Sequence, residues 1–145
     1  MTPITLKKQT ITDGCVAACV AMLLNKPVTE VMDDFHHRFV NHEIDLIDYL
    51  LEKGITAVPP NWQDRYKILG GFIYVLSVPS CNTLARMHMV LLDVRDQENP
   101  KLYDPSNDRV YCVPGEASGP GEVDLTSWTV EAVVHLEERY GSCGQ

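Results

Sequence analysis

Four polar side chains stand where they can do chemistry together. Gln9 lies six residues ahead of Cys15, and Cys15 opens the apolar run CVAACVAMLL. His88 lies inside the apolar stretch MHMVLLDV, and Asp104 precedes Pro105 just after the next short extended segment, KLY. A thiol is a weak nucleophile at neutral pH, and its thiolate is a strong one. A helix start presents unsatisfied N–H groups and about half a positive charge, so a cysteine in the first turn is biased towards ionisation. The competing reading is a small buried hydrophobe, like Cys19 one turn on, and helix position alone does not decide between the two.

A nucleophilic thiolate needs a base, and His88 is the best candidate. An imidazole in an apolar strand must find a partner or suffer desolvation, although a satisfied core histidine meets the same demand. Asp104 follows the next strand, across a hairpin from His88, where facing residues come side by side. A carboxylate there can hold the imidazole in one tautomer and stabilise its charged form, or it can be a plain turn aspartate before proline. Attack on a carbonyl creates an oxyanion that needs donors already in place. The Gln9 amide, with the Cys15 N–H, can supply them; a solvated surface glutamine is the alternative.

These side chains need elements to position them. The run from Cys15 to Leu24 is apolar almost all round, which suits a buried helix, with Thr12 or Asp13 as its cap and Asn25-Lys26-Pro27 as its end. Gly14 permits a tight entry turn. Thr29 is expected to cap a short helix, TEVMDDF. Asn41 opens a further one, HEIDLIDYLLEKG, whose Ile44, Ile47, Leu50 and Leu51 recur at helical spacing up to Gly54. Beyond Gly54 the texture turns to short β-branched and aromatic runs: residues 55–58, GFIYVLSVP, MHMVLLDV, KLYDP, RVYCVP and 129–136. Between them NWQDRYKILGG reads as a loop or broken helix, and GEASGPGEVD as an exposed loop. Helices first and an antiparallel sheet after them make an α+β arrangement.

The 145 residues suit one domain with one core, 1–145. The formal net charge of -8, with Lys7-Lys8 the only adjacent basic pair, argues against a nucleic-acid surface. The apolar runs are about half of the ~20 residues that a membrane helix needs, so no membrane span is expected. MTPITLKKQ has no apolar segment after its charges and is not read as a secretory signal. Five cysteines is an odd count without paired Cys-x-x-Cys ligand sets, which suggests free thiols in a reducing, cytoplasmic setting.

In order and spacing, Gln9, Cys15, AACVAMLL, His88-Met-Val-Leu-Leu and Asp104-Pro105 resemble the papain-like cysteine peptidases, and within them the bacterial double-glycine leader peptidases that process bacteriocins. The resemblance runs from Gln9 to about Tyr111. Two positions depart from that family's pattern: the glycine precedes Cys15 instead of following it, and Met87 stands where a glycine usually precedes the histidine. The resemblance implies a papain-like fold, with N-terminal helices carrying the cysteine packed on a C-terminal antiparallel sheet carrying histidine and aspartate. It implies hydrolysis of a peptide bond in a protein or peptide substrate by Cys15, His88 and Asp104, with Gln9 at the oxyanion and no cofactor or metal. The same machinery can deamidate glutamine or transfer acyl groups, and an inactive domain of this type can bind a peptide; the sequence leaves these open, and it leaves the oligomeric state unknown.

Other chemistry-bearing residues carry less. His36, His37 and His42, with Asp33, Asp34 and Glu43, match no ligand motif and read as a polar connection between helices. Trp62 and Tyr66 can line a substrate cleft or cover a core. Cys81 and Cys112 read as strand or loop-edge thiols, Cys143 as a thiol of the tail, and His135 as a strand residue without an obvious partner.

Overall fold

A helix that is apolar on every side has to be surrounded, and α1 (Cys15–Leu24) is: Ala17 to Leu23 are all buried. It starts at Gly14, whose backbone (φ -95°) any residue adopts. The small residue answers a close approach instead, since an added Cβ would meet Ile11 Cγ1 at 3.1 Å and the Ile11 carbonyl oxygen at 3.3 Å. Asn25 ends the helix in the left-handed conformation (φ 54°), and Pro27 prevents its continuation. The computed structural model describes residues 3–11, 14–79, 87–106, 110–112 and 128–136. The proposed caps Thr12 and Asp13, the thiols of Cys81 and Cys143 and the GEASGPGEVD loop lie outside them.

The next helical stretch is longer than expected. α2 (Val28–Val31) runs through a π-helical turn, Met32–His36, into α3 (His37–Val40), with Pro27 at the cap position and Thr29 inside the helix. The histidine segment is thus mostly helix and not a polar connection. Its acidic residues hide an apolar face of Val28, Val31, Met32, Phe35 and Phe39, all packed into one core. α4 (Leu46–Glu52) likewise begins later than Asn41. Its cap is Asp45, whose Oδ1 accepts from the Asp48 N–H at 2.8 Å, and Gly54 (φ 87°) follows its end. The buried Tyr49 joins the helices: its ring packs on Phe35 with centroids 4.6 Å apart, and its hydroxyl donates to Asp34 Oδ2 at 2.5 Å.

The sheet is antiparallel throughout, in the order β1-β6-β2-β3-β4-β5, with β1 (Thr56–Val58), β2 (Ile73–Pro79), β3 (Met87–Asp93), β4 (Lys101–Tyr103), β5 (Tyr111–Cys112) and β6 (Thr129–His135). NWQDRYKILGG contributes only a 3-10 turn, Trp62–Asp64. Side chains alternate across a strand. Ile73, Val75, Leu91, Tyr103, Ala132 and Val134 meet the helices, while Tyr74, Leu76, Val78, Val90, Leu92 and Leu102 form a second core on the other face under Ile68, Phe72 and Trp128. A register shift beside Val75 and Leu76 lets Val130 join the second core although Ala132 and Val134 serve the first. N-terminal helices carrying the cysteine thus pack on a C-terminal antiparallel sheet carrying His88 and Asp104, the papain-like arrangement. No helix among the described residues is long and apolar enough to cross a membrane.

Candidate active site

The site arises where β3 outruns its neighbour. β4 pairs with β3 only from Leu91↔Tyr103 to Asp93↔Lys101. Met89 lies two residues beyond the last pair, and its backbone serves α1 instead. The Cys19 thiol donates to the Met89 carbonyl at 3.5 Å, and the Met89 backbone is close enough to Cys15 to help lower its thiol. Alternation puts His88 on the sheet face away from the helices, together with Val90 and Leu92. Because the tip of α1 packs against β3, Cys15 still comes near the imidazole, close enough for each group to shift the titration of the other.

Asp104 is the first residue after β4 and is 1% exposed. Its Oδ1 lies 2.5 Å from His88 Nε2, which leaves Nδ1 as the ring nitrogen for the thiol. The imidazole thus meets a buried carboxylate through Nε2, with Cys15 nearby. Ser106 adds two donors to the same oxygen, its N–H at 2.9 Å and its hydroxyl at 2.8 Å; that hydroxyl is also 3.5 Å from His88 Nε2. Sequence reasoning missed Ser106. The available signal was Asp-Pro-Ser itself, since an aspartate often accepts the N–H two residues on in an Asx turn.

Gln9 is held next to this turn. Its backbone N–H donates to the Pro105 carbonyl at 2.8 Å. Its side-chain Nε2 donates to the Ile11 carbonyl at 3.0 Å, the same oxygen that accepts the Gly14 N–H at 3.1 Å. One carbonyl therefore ties the glutamine amide to the entry turn of α1, one residue before Cys15.

The three titratable groups polarise one another. Burial acts against charge on each of them and is the largest single influence. For Cys15 it is outweighed by the hydrogen bond and charge of His88 and by the N–H groups of Met89 and Val16, and the thiol titrates below its ordinary range. His88 is pushed up to about 9, against burial, by Asp104 first and Cys15 second. Asp104 is held below the usual carboxylate range by His88 and then by the Ser106 N–H and hydroxyl. Cys19, 0% exposed, goes the other way: burial raises its thiol far above the ordinary value, and the negative charges of Cys15 and Asp104 add to this. The two free thiols on one helix therefore have opposite character.

The remaining candidates have other employment. Asp34 takes the Tyr49 hydroxyl and the Lys53 ammonium (3.2 Å), His36 is buried with its ring 6.0 Å from that of His37, and His42 occupies a left-handed turn (φ 59°). Among the described residues no group of three or more His, Cys, Asp or Glu side chains is placed to hold a metal ion. Trp62 and Tyr66 are exposed and flank the Arg65 guanidinium, 3.5 Å and 4.5 Å from the ring centroids. His135, expected without a partner, meets the Phe72 ring edge-on at 4.8 Å. Compared with models of known protein families and with curated protein sequences, the chain matches none.

Proposed function

We propose that residues 1–145 form a papain-like thiol hydrolase acting on a peptide bond of a protein or peptide substrate. The observation that carries this reading is the 2.5 Å contact of His88 Nε2 with the buried Asp104 carboxylate, beside Cys15 at the start of α1. A thiol shifted down beside an imidazole shifted up is the direction in which a thiolate–imidazolium pair, the form of an activated cysteine, is favoured.

In the first half-reaction the Cys15 thiolate attacks the substrate carbonyl carbon, and the π electrons of that carbonyl move to its oxygen. The Cys15 N–H and the Gln9 amide are the proposed donors to this oxyanion; the first N–H groups of a helix have no intrahelical acceptor. A primary amide has two hydrogens, so its bond to Ile11 is compatible with a second donation. Collapse of the intermediate breaks the C–N bond, and His88 gives its proton to the departing amine. In the second half-reaction neutral His88 takes a proton from water, the hydroxide equivalent attacks the thioester, and Cys15 leaves as thiolate. Asp104 holds the ring through Nε2 in both halves without taking its proton.

The resemblance of Gln9, Cys15, His88 and Asp104, in order and spacing, to the double-glycine leader peptidases favours a peptide substrate. The fold is common to papain-like hydrolases at large. A reducing compartment such as the cytoplasm keeps Cys15 in the thiol state that this chemistry needs.

The test is alkylation with iodoacetamide at neutral pH, with peptide mapping of the modified cysteine. Fast labelling of Cys15 that slows in His88→Ala supports the reading. Labelling that is no faster at Cys15 than at a solvent-exposed thiol sinks it. Mass spectrometry of a peptide library incubated with wild type and Cys15→Ala then reports the outcome: two fragments for hydrolysis, the small mass gain of deamidation, or a joined product for acyl transfer.

A further inference from the structure

We propose that Ser106 is a positioning residue of this site, whose hydroxyl holds the Asp104 carboxylate in register with the His88 ring. The proposal rests on the roles of Cys15, His88 and Asp104 given above.

Asp104 lies just past the end of β4, whose register with β3 ends at Leu91↔Tyr103. Pro105 restricts φ one residue on and has no N–H to donate. The carboxylate is nevertheless buried and ionised, a state that needs several donors. Three donor atoms converge on Oδ1: His88 Nε2, the Ser106 N–H and the Ser106 hydroxyl. An Asx turn requires only the N–H, which any residue but proline provides. The hydroxyl is the part that serine adds, and it sits on the carboxylate and within 3.5 Å of the imidazole at once.

Two consequences follow from that position. The hydroxyl fixes the rotation of the carboxylate, which keeps Oδ1 aimed at Nε2. It also keeps Asp104 ionised to lower pH, so the imidazolium, and with it the thiolate, survives further into acid. The titratable groups facing Asp104 include His88 of β3 and Cys19 of α1, with Cys15 beside both of them. Burial raises the Cys19 thiol, so it does not contribute to the acid limb of Cys15 reactivity.

The experiment is the pH profile of Cys15 alkylation in wild type, Ser106→Ala and Ser106→Thr, with thermal melts of each. In Ser106→Ala the acid limb is expected to move up by about one pH unit, the equivalent of one hydrogen bond to a charged group. Ser106→Thr restores the hydroxyl and the wild-type limb. If Ser106→Ala fails to fold, Ser106→Cys, close in volume and a weak donor, is read in its place. A profile lowered equally at all pH values, or a lower melting temperature with an unmoved limb, marks a merely structural turn and overturns the proposal. A wild-type Cys15 that labels fast, with superimposable profiles in all variants, overturns the Ser106 role and leaves the hydrolase standing. A wild-type Cys15 without enhanced reactivity overturns both.

Discussion

Replacing Asp104 by asparagine keeps the shape of the side chain and removes its charge. His88 is raised from an ordinary 6.5 to about 9. At about 1.4 kcal/mol per pH unit, that is ~3 kcal/mol of preference for the imidazolium, an order-of-magnitude figure. Burial opposes this preference; Asp104 is its first source and Cys15 its second. Assigning Asp104 the larger part leaves a loss of about 2 kcal/mol in Asp104→Asn, a factor of roughly 30 in the population of the ion pair. The side chains concerned are little exposed, 13% for His88 and 2% for Asp104, so solvent screening discounts this figure only modestly. The assay is the second-order rate of iodoacetamide alkylation at Cys15, followed across pH by peptide mapping. Wild type should hold its rate well into the acid range. Asp104→Asn should be about 30-fold slower at pH 7 and recover only as the thiol ionises unaided, near its ordinary ~8.5. An unchanged rate and profile would mean that Asp104 does not hold the imidazole, and the triad reading would fail.

Gln9→Ala should lower hydrolysis of an activated ester or peptide anilide by about 100-fold, the loss of one oxyanion donor, while alkylation of Cys15, which forms no oxyanion, changes less than about twofold. Cys19→Ala removes a buried thiol and its bond to the Met89 carbonyl; chemical denaturation should show a loss of ~1 kcal/mol, with Cys15 still the labelled residue. In wild type the raised His88 and lowered Cys15 pull stability in opposite directions with pH, so the linkage is cleanest in Cys15→Ala. There the folded state still binds the His88 proton more tightly than the unfolded state, through Asp104. Its melting temperature should therefore be highest below pH 6.5 and fall as the pH climbs towards, but not beyond, about 9. Adding His88→Ala should flatten that slope.

How legible the fold was depended on how far a segment's chemistry could be read without its neighbours. α1 was plain because ten consecutive residues left no polar face, and β2, β3 and β6 because β-branched and aromatic residues filled them. The α2–α3 stretch was not. Asp33, Asp34, His36 and His37 masked the spacing of Val31, Phe35 and Phe39, and only the sheet and Tyr49 show which face is inside. Thr29 and Asn41 were sound cap residues by type, but Asp45 won because its side chain meets the Asp48 N–H at the true start of α4. At the site, residue types pointed to Cys15, His88 and Asp104 as candidates, and the fold packs their segments near one another. The part of Ser106 is a matter of three converging distances, and composition does not encode those.

The site owes its existence to a mismatch in strand length. Had β4 continued, its ladder would have occupied the edge of β3 beside Met89, and the tip of α1 would have been shut out on the helix side of the sheet. Pro105 cannot donate to a ladder, so the chain must leave the strand there. Leaving has three local results. The Met89 backbone is released to meet Cys15 and Cys19. The Asp104 side chain turns onto His88 instead of pairing along the strand. The Pro105 carbonyl becomes an acceptor for Gln9, which draws the N-terminal segment across the helix start. One proline after a three-residue strand thus brings together groups from three distant parts of the chain. The Asp104-Pro105 dipeptide shapes both the strand end and the site: extending β4 by a single ladder pair would separate Cys15 from His88.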